Sequence, residues 1–568
     1  MKYLYIITVA LLCTLNNALA ENPVWEWARS GGAIAIGGPQ SICTDAQGNT
    51  YITGSFAGPS ITFGSHTLIN HSQANGNNIF IVKYDSSGNV LWANSAGGTN
   101  NDEGQNITMD ASGNIYVSGF YGSQSIIFGN DTFTNGLPGI STDFFLAKYD
   151  ANGNFYWATN KGLGSNTSSQ TISVDAAGNV YATGSFTGAF ATVGTDTIRN
   201  PHGQIGNSSI YAVKYNLTGN VAWVKAVQAT SPNGVDYGQS ISTDAFGNIY
   251  ITGYFVDDTI RFGHDTLTGS GFVLLKYNQL GTPVWAKKAG GQGFVGENSQ
   301  GISTDAQGNI FVTGEFPGGN MTFGSNTIIN LHSSSGSTEI YLVKYDSTGH
   351  VAWAQGAGGT GYNISNRVSI DAAGNAYITG TFGSTSIDFD NTTLTTVNNS
   401  YPGGIFVVQY TAGGNVGWAK SAGGNALGYS TGISVDALGD VYITGYYAGP
   451  NITFGGATIT DTVSGNTDFF VAKLGYHPVA TGVGDLNNSS DNIKVYPNPS
   501  TGSIYFKDIS TGSTIQIYNV LGEMIYSSVA DNDNIYIHIN SQSKGVYFYR
   551  VYKAEQSTSI QQGKIILE

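Results

Sequence analysis

Short apolar segments separated by glycine-containing turns recur along most of the chain. The phrase Asp-Ala-x-Gly-Asn, or a close variant, returns about every 65 residues and is followed each time by an apolar segment. The aspartates that open the phrase are Asp45, Asp110, Asp175, Asp244, Asp305, Asp371 and Asp436. The glycine supplies the positive φ that a tight hairpin requires, and the aspartate can bond to its own backbone. Each phrase therefore predicts a hairpin of two strands, here named A and B.

A second hairpin is predicted after each of the first six phrases. An apolar segment that ends in tyrosine leads through another glycine-containing turn into a segment that carries tryptophan, and these segments are named strands C and D. Seven of the eight tryptophans share this position: Trp27, Trp92, Trp157, Trp223, Trp285, Trp353 and Trp418. Roughly twenty residues between strands B and C contain a further short hairpin. Four antiparallel strands repeated at a fixed period are typical of an all-β propeller.

The two ends of the repeat region complement each other. The seventh repeat reaches strand C at Phe469 and then lacks a tryptophan-bearing strand D, whereas residues 24–28 form a strand D with no A, B or C before it. Pairing the first strand with the last repeat would remove two exposed sheet edges. The sequence therefore predicts a seven-bladed β-propeller over residues 21–476, closed by its N-terminal strand. The repeats resemble the SBBP-type β-propeller repeats of secreted bacterial proteins, a resemblance that implies a fold but no settled activity.

A polar linker, residues 477–492, precedes a different pattern over residues 493–568. Three segments alternate apolar and polar residues, which predicts a small Ig-like β-sandwich. This part resembles the type A sorting domain of the type IX (Por) secretion system of Bacteroidota. The residues that carry the resemblance are Tyr496, Pro497, Asn498, Pro499, Gly522, Lys544, Gly545, Tyr547 and Lys564. Glu523 departs from the family, which usually has a basic residue there. The resemblance implies transport across the outer membrane and the secretion machinery as a partner; a generic Ig-like cap is the alternative.

Residues 1–20 have the three parts of a signal peptide: Lys2, an apolar run over residues 3–15, and a small-x-small site at residues 18–20. Cleavage predicts a secreted or surface-attached protein, and no later segment is apolar enough to span a membrane. One cysteine, Cys43, then remains, so no internal disulfide is expected. The formal net charge is −15, and the 22 basic residues form no cluster, which excludes nucleic acid as an expected partner.

No catalytic motif stands out in the sequence. The chain lacks the HExxH, GxSxG, phosphate-loop and paired-cysteine patterns, and its eight histidines are scattered. The many Asp-x-x-Gly turns suggest calcium as a possible ligand. The first residue of the C–D turns varies, however, among Asp85, Asn216, Asn278 and Thr411, which a fixed ligand set would not tolerate. We therefore predict no metal and no cofactor.

Function is expected at the end of the propeller where the B–C and D–A connections meet, because these connections vary in length and composition. Tyrosines beside carboxylates could bind a sugar or a peptide there. The candidate ligand-binding residues of the D–A loops are Asp102, Glu103, Asp236, Tyr237, Glu297, Tyr362, Arg367 and Tyr429. The alternative interpretation is that they are ordinary solvated loop residues.

Three functions remain open at this point. The leading hypothesis is a non-enzymatic binding or adhesion protein with a glycan or protein ligand. The first alternative is a glycan-degrading hydrolase or lyase, which would need two converging carboxylates with the pKa of one raised. The second alternative is a passive structural component of a surface layer.

Overall fold

The computed structural model describes a chain built from strands and turns. The described residues are 22–34, 37–72, 76–135, 142–161, 167–200, 207–229, 234–290, 298–332, 337–396, 403–424, 426–461, 467–476, 493–519, 524–539, 542–552 and 559–567. They contain no helix, and so none that could cross a membrane. The predicted signal peptide and linker lie outside these residues. Internal contacts divide the chain at residue 479 into two compact units.

The four strands of each repeat pair in the order A, B, C, D. The A strands are β2 (Gly37–Thr44), β8 (Asp102–Met109), β14 (Thr167–Val174), β21 (Val235–Thr243), β25 (Asn298–Thr304), β31 (Asn363–Ile370) and β37 (Leu427–Val435). The B strands are β3 (Thr50–Phe56), β9 (Ile115–Tyr121), β15 (Val180–Thr187), β22 (Ile249–Phe262), β26 (Ile310–Pro317), β32 (Ala376–Phe382) and β38 (Val441–Ala448).

The C and D strands complete the sheets. The C strands are β6 (Asn78–Tyr84), β12 (Asp143–Tyr149), β18 (Ser208–Tyr215), β23 (Asp265–Tyr277), β29 (Thr338–Tyr345), β35 (Gly404–Tyr410) and β41 (Thr467–Gly475). The D strands are β7 (Val90–Ala96), β13 (Phe155–Thr159), β19 (Val221–Ala226), β24 (Pro283–Ala289), β30 (Val351–Gly358), β36 (Val416–Ala422) and, for the last repeat, β1 (Val24–Ile34).

Short hairpins connect most B strands to the C strands that follow them. In the fourth repeat the two strands themselves continue into the hairpin, and the two-residue strand β20 (Gln228–Ala229) joins that sheet. The separate hairpins are β4 (Ser60–Phe63) with β5 (His66–Ile69), β10 (Ser125–Phe128) with β11 (Asp131–Thr134), β16 (Phe190–Val193) with β17 (Asp196–Arg199), β27 (Asn320–Phe323) with β28 (Asn326–Ile329), β33 (Ser386–Phe389) with β34 (Thr392–Thr395), and β39 (Asn451–Phe454) with β40 (Ala457–Thr460).

The A strands lie side by side around a central channel. Each A strand contacts the A strands of both neighbouring repeats, and β2 of the first repeat contacts β37 of the last. Hydroxyl pairs join them, as between Thr44 and Ser434 at 2.7 Å and between Ser173 and Thr243 at 2.8 Å. The apolar cores lie between adjacent sheets: Trp27 and Phe469 of the last sheet pack with Phe80 of the first.

The A–B turns owe their repeated sequence to one hydrogen-bond network. In the third repeat, Asp175 Oδ1 accepts bonds from the backbone N–H groups of Ala177 (3.0 Å) and Asn179 (2.9 Å). Its Oδ2 accepts bonds from the Asn179 amide and the Tyr181 hydroxyl, both at 2.9 Å. The same four contacts recur at Asp45, Asp110, Asp244 and Asp371. Both oxygens of these carboxylates are therefore engaged within the turn.

In every repeat except the sixth, the tryptophan of strand D lies against the C–D turn of the next sheet; in the sixth, Trp418 Nε1 donates to the Tyr476 hydroxyl at 2.8 Å. Trp92 Nε1 donates to the carbonyl of Ala151 at 3.2 Å, and Trp353 Nε1 donates to that of Ala412 at 3.1 Å. The indole rings cover the turn glycines: a Cβ added to Gly414 would lie 2.8 Å from the ring of Trp353, and this glycine has φ +90°. Glycine and tryptophan therefore repeat together because one provides the surface on which the other packs.

Strand β1 pairs antiparallel with β41, which is the pairing that its isolated position in the sequence predicts. On the other side, Trp27 Nε1 donates to the carbonyl of Ser86 in the first repeat at 3.0 Å. A buried ion-pair group also fixes the strand, since Lys473 Nζ lies 2.9 Å from Glu26 Oε2 and 2.7 Å from Asp440 Oδ2. The N-terminal strand thus connects the last sheet to the first.

The C-terminal unit consists of two antiparallel sheets. The first contains β42 (Lys494–Tyr496), β43 (Ser503–Lys507) and β46 (Asn534–His538); the second contains β45 (Met524–Val529), β44 (Thr514–Tyr518), β47 (Gly545–Tyr552) and β48 (Ser559–Leu567). Side chains from both sheets form one apolar core that includes Ile504, Phe506, Ile517 and Val551. The sequence pattern had indicated three of these strands, and the structure adds four.

Candidate ligand-binding site

The A strands each carry a β-bulge near their first residues. In β2, for example, Pro39 pairs with Gly54 and Ser41 with Thr53, so that Gln40 has no partner on strand B. A bulge redirects the side chain of its extra residue. The bulge residues whose side chains are described are all partly exposed: Gln40, Gln105, Gln239, Gln300, Asn366 and Thr431.

A cavity of about 310 Å³ lies against one side of the channel. It is formed by A strands of the first, fifth, sixth and seventh repeats together with two B strands. Its lining residues are Gln40, Gln300, Ile364, Asn366, Arg367, Thr381, Tyr429, Ser430, Thr431 and Tyr446. This lining offers amides, hydroxyls, two phenols and one guanidinium, and it includes no carboxylate, imidazole or thiol.

Two tyrosines form an aromatic wall of the cavity. The rings of Tyr429 and Tyr446 stack with their centroids 4.9 Å apart. Burial raises the pKa of Tyr446, and its neighbour Tyr429 raises it further. The Tyr446 phenol is therefore protonated at neutral pH and able to donate a hydrogen bond.

Arg367 supplies the one positive charge of the cavity lining. Its Nη1 donates to the carbonyls of Gln300 at 2.8 Å and Asn366 at 3.0 Å. Burial lowers the pKa of its guanidinium. Arginine nevertheless stays charged in proteins, so the cavity contains a partly desolvated cation.

Asp102 and Asp236, predicted as ligand-binding residues of the D–A loops, are fully buried within strands β8 and β21. Asp102 accepts hydrogen bonds from the Gly98 N–H at 2.7 Å and from the Ser123 hydroxyl at 2.7 Å. Burial raises its pKa, while the bonds from Ser123 and Gly98 oppose the rise. Its carboxylate holds the D–A loop to the segment after strand B. The contact with Ser123 spans 21 residues of sequence, so the sequence pattern around Asp102 does not reveal it.

The other predicted residues are dispersed. Glu103 and Tyr237 lie half-buried on A strands outside the cavity, and Tyr237 stacks on Tyr254 with centroids 4.9 Å apart. Tyr362 is 49% exposed on its D–A loop. Glu297 lies outside the described residues. Of the eight candidates, the structure brings Arg367 and Tyr429 together in the cavity.

The bulge residues are not among the predicted site residues, although they share one position of the repeat. Each stands five positions before the aspartate of an A–B turn, and six of the seven are amides: Gln40, Gln105, Gln170, Gln239, Gln300, Asn366 and Thr431. Neither the turn network nor the apolar core requires an amide at that position. Its repetition is therefore a sequence signal by which these residues could have been predicted. Tyr446 carried no comparable signal.

Among the described residues, no group of three or more His, Cys, Asp or Glu side chains is arranged to hold a metal ion. The most regular carboxylates, those of the A–B turns, have both oxygens engaged in the turn network.

A second cavity of about 450 Å³ lies on the outer side of the fifth and sixth repeats. Its lining includes Leu331, His332, Glu339, Asp388 and Asp390. His332 Nδ1 and Glu339 Oε1 are 3.1 Å apart. Burial raises the pKa of Glu339, the bond to His332 opposes the rise, and the charge of Asp388 adds to it.

Cys43 on β2 is a free thiol whose pKa is raised, first by burial and then by Asp45. In a chain that lacks residues 1–20, we expect iodoacetamide at pH 8 to modify native Cys43 at least about tenfold more slowly than the urea-unfolded chain, because the thiolate is the nucleophile. Mass spectrometry of timed samples measures both rates, and equal rates would contradict this expectation. Cys43→Ser should leave the unfolding midpoint unchanged, since Ser173 and Ser242 hold the same position in other repeats.

The predicted sorting residues lie mostly on one edge of the C-terminal unit. Asn498 joins its two ends, because its amide donates to the Lys564 carbonyl at 2.6 Å and accepts from the Ile566 N–H at 2.9 Å. The side chain of Tyr547 is buried and donates to the Ser543 carbonyl at 2.6 Å. Gly522 lies outside the described residues. The remaining sorting residues, Pro497, Pro499, Lys544 and Gly545, flank these contacts.

An exposed row of aromatic rings crosses the smaller sheet of this unit. Tyr496 stacks on Tyr505 with centroids 5.7 Å apart, and Tyr505 contacts Tyr536 at 4.3 Å. Each of these rings is more than 40% exposed.

Comparison with known families identifies two segments. Residues 494–568 match the secretion system C-terminal sorting domain, and residues 224–254 match the beta-propeller repeat of the SBBP family. A sorting domain of this kind indicates a protein that is secreted or attached to the outer-membrane surface.

The chain is also similar to individual proteins. It is 28% identical over 445 residues to an uncharacterized WD repeat-containing protein, L264, of Acanthamoeba polyphaga mimivirus; the match covers 64% of this chain and 32% of that protein. Among solved structures, the Neurospora crassa Pan2 WD40 domain aligns with a TM-score of 0.36 and 8% identity, covering 80% of this chain and 95% of that one. The polysaccharide lyase Uly1 aligns with a TM-score of 0.40 and 9% identity, covering 77% and 90%.

Proposed function

We propose that this chain, which carries a type IX secretion sorting domain and a β-propeller repeat, is a non-enzymatic binding protein of the cell surface or medium. Its ligand, a glycan or a peptide, enters the central channel of a seven-bladed propeller. The closed series of contacting A strands and the pairing of β1 with β41 support the seven-bladed arrangement. The two packed sheets of the C-terminal unit support an Ig-like sandwich.

The composition of the channel cavity carries the proposal. Side-chain amides and hydroxyls from Gln40, Asn366 and Thr431 can exchange hydrogen bonds with sugar hydroxyls or peptide groups, and the stacked tyrosines offer an aromatic face. General acid–base catalysis needs a group that gives or takes a proton near neutral pH. The lining contains no carboxylate, imidazole or thiol for that purpose, and the raised pKa of Tyr446 disfavours its use as a base.

A glycan and peptide binding screen with the purified chain tests the proposal. We expect saturable binding to one ligand class and a loss of about tenfold in affinity in Tyr429→Ala, because one stacked aromatic contact contributes roughly 1–3 kcal/mol in comparable sites. Tyr237→Ala is the matched control, since Tyr237 and Tyr254 form the equivalent stacked pair of the fourth repeat outside the cavity.

Equal losses in both variants, or a loss in Tyr237→Ala alone, would place the ligand elsewhere on the protein. Absence of saturable binding to any member of the screen would contradict the proposal and leave the structural surface-layer component as the better account.

A second candidate function, hydrolysis of a glycosidic bond, is favoured by the outer cavity. A glycosidase needs one carboxyl group with a raised pKa beside a second carboxylate, and Glu339 and Asp388 provide these two groups. Release of reducing ends from the screened glycans by the wild type, lost in Glu339→Gln but kept in Tyr429→Ala, would replace the binding proposal with this one.

A further inference from the structure

We propose that the channel cavity selects a ligand with an anionic group, a carboxylate or a sulfate ester, and that Arg367 is the residue that pairs with it. This inference rests on the proposed function and names the chemical class of its ligand. A carboxylate is planar and a sulfate ester is tetrahedral, but both present two negatively charged oxygens. A guanidinium can bind such a pair of oxygens through two parallel hydrogen bonds.

Arg367 is held in place but not neutralised. Its Nη1 donates to two backbone carbonyls, those of Gln300 and Asn366. No carboxylate of the described residues lies within ion-pair distance of its guanidinium. The nearby carboxylate of Glu315 instead accepts a bond from the Gln300 amide at 3.4 Å. Backbone carbonyls thus orient the Arg367 guanidinium, and we infer that a bound ligand supplies its counter-charge.

Two other cations of the propeller lie beside carboxylates, whereas the buried Lys83 and Lys276 donate to backbone carbonyls, as Arg367 does, at 3.1 and 2.8 Å. Lys473 contacts two carboxylates, and Lys148 Nζ lies 3.9 Å from Asp110 Oδ2. These lysines lie in the C strands, away from the channel, and connect neighbouring parts of the fold. Arg367 differs from these lysines because it is partly exposed and lines a cavity, where an anion could reach its guanidinium and offset the partial loss of solvation. The lowered pKa of Arg367, caused by burial, agrees with this state.

The repeat itself does not require an arginine at this position. Four residues before each A–B turn aspartate, the other repeats have small or short neutral side chains: Ser41, Asn106, Thr171, Ser240, Gly301 and Gly432. Gly301 directly faces the arginine-bearing strand, because a Cβ there would lie 2.9 Å from the Arg367 Cα. Arg367 is thus the one long, charged side chain at a repeat position that otherwise has short neutral residues, and it lines the cavity.

Neutral donors surround the guanidinium. The amides of Gln40, Gln300 and Asn366 line the same cavity, whereas the Thr431 hydroxyl there already donates to the Pro39 carbonyl at 2.8 Å. Such amides can bind the remaining oxygens of an anion and the hydroxyls beside it. The negative group of a sugar acid or sulfated sugar would therefore pair with Arg367, and its hydroxyl groups would bond to the side-chain amides of the cavity.

Calorimetric titration of the purified full chain tests the inference with matched probes. Trigalacturonate is compared with its carboxyl-reduced neutral trimer, and dextran sulfate with dextran, while inorganic sulfate serves as the minimal anion. We expect the wild type to bind at least one charged form about tenfold or more tightly than its neutral counterpart. In Arg367→Ser, which restores the residue of the first and fourth repeats, the two forms should bind within about twofold of each other.

Two further variants separate charge from folding. Arg367→Lys keeps the charge but loses the planar fork, and we expect an intermediate preference. Arg261→Met removes one exposed arginine from the outer part of β22 and should leave the preference unchanged. Melting temperatures of all variants within a few degrees of the wild type would show that folding is preserved.

The outcomes distinguish this inference from the proposed function. Equal binding of charged and neutral forms by the wild type, or an undiminished preference in Arg367→Ser, overturns the anion inference while channel binding stands. Sulfate binding that Arg367→Ser abolishes, without saturable binding of any glycan or peptide in the screen, supports the anion site and overturns the proposed ligand classes. Sulfate binding unaffected by the substitution overturns the site.

Discussion

Replacing Lys473 with methionine is expected to lower the free energy of unfolding of the propeller by about 3–5 kcal/mol. The substitution leaves Glu26 and Asp440 buried without their counter-charge, because the Lys473 ammonium is the group that contacts both carboxylates. Burial alone would lower the pKa of Lys473, but the bonds to Asp440 and Glu26 outweigh it and raise the pKa. The ammonium is therefore favoured in the folded state throughout the neutral range.

Lys344→Met is the matched control, since Lys344 has the same position on strand C of the fifth repeat. Its Nζ lies 3.4 Å from the Ala412 carbonyl and makes no ion pair within the described residues. Its loss should cost no more than about 1 kcal/mol. Urea denaturation followed by tryptophan fluorescence measures both. Equal, small effects would mean that the ion-pair group contributes little to closure by β1.

Deletion of residues 494–568 is expected to abolish delivery to the cell surface and leave the protein in the periplasm. These residues match the sorting domain and form a compact unit with its own apolar core, so that a recognition element is removed as a whole. Cell fractionation and protease treatment of intact cells measure the effect, and we expect the protease-accessible fraction to fall at least about tenfold.

The control is Tyr429→Ala in the full chain, which alters the proposed binding cavity and should reach the surface at the wild-type level. Resistance of the periplasmic truncated chain to limited proteolysis would show that its propeller is folded. Surface delivery of the folded truncated chain would contradict a sorting role for residues 494–568.

The order of the strands was predictable because it depends on short sequence motifs that recur in every repeat. The aspartate of each A–B turn bonds within six residues of itself, as Asp175 does with Tyr181, so the turn can be recognised from sequence alone. The tryptophans of strand D repeat for a similarly simple reason, since all of them except Trp418 pack on a turn glycine of the next sheet. The isolated segment around Trp27 then identified the closing strand.

The binding residues were less predictable because they depend on bulges and on contacts between distant repeats. One extra residue in each A strand changes which side chains face the channel, and simple alternation does not reveal it. Gln40 and Gln300 line one cavity although 260 residues separate them in the chain. Asp102 illustrates the same difficulty, because its partner Ser123 is 21 residues away in the sequence and the pattern around Asp102 does not show that it is buried.

A crystal structure of the chain with its bound ligand tests the account most directly. We expect ligand density in the cavity beside Tyr429 and Tyr446, with an anionic group within hydrogen-bond distance of the Arg367 guanidinium. Density confined to the cavity that contains Glu339, or to the outer hairpins, would contradict it.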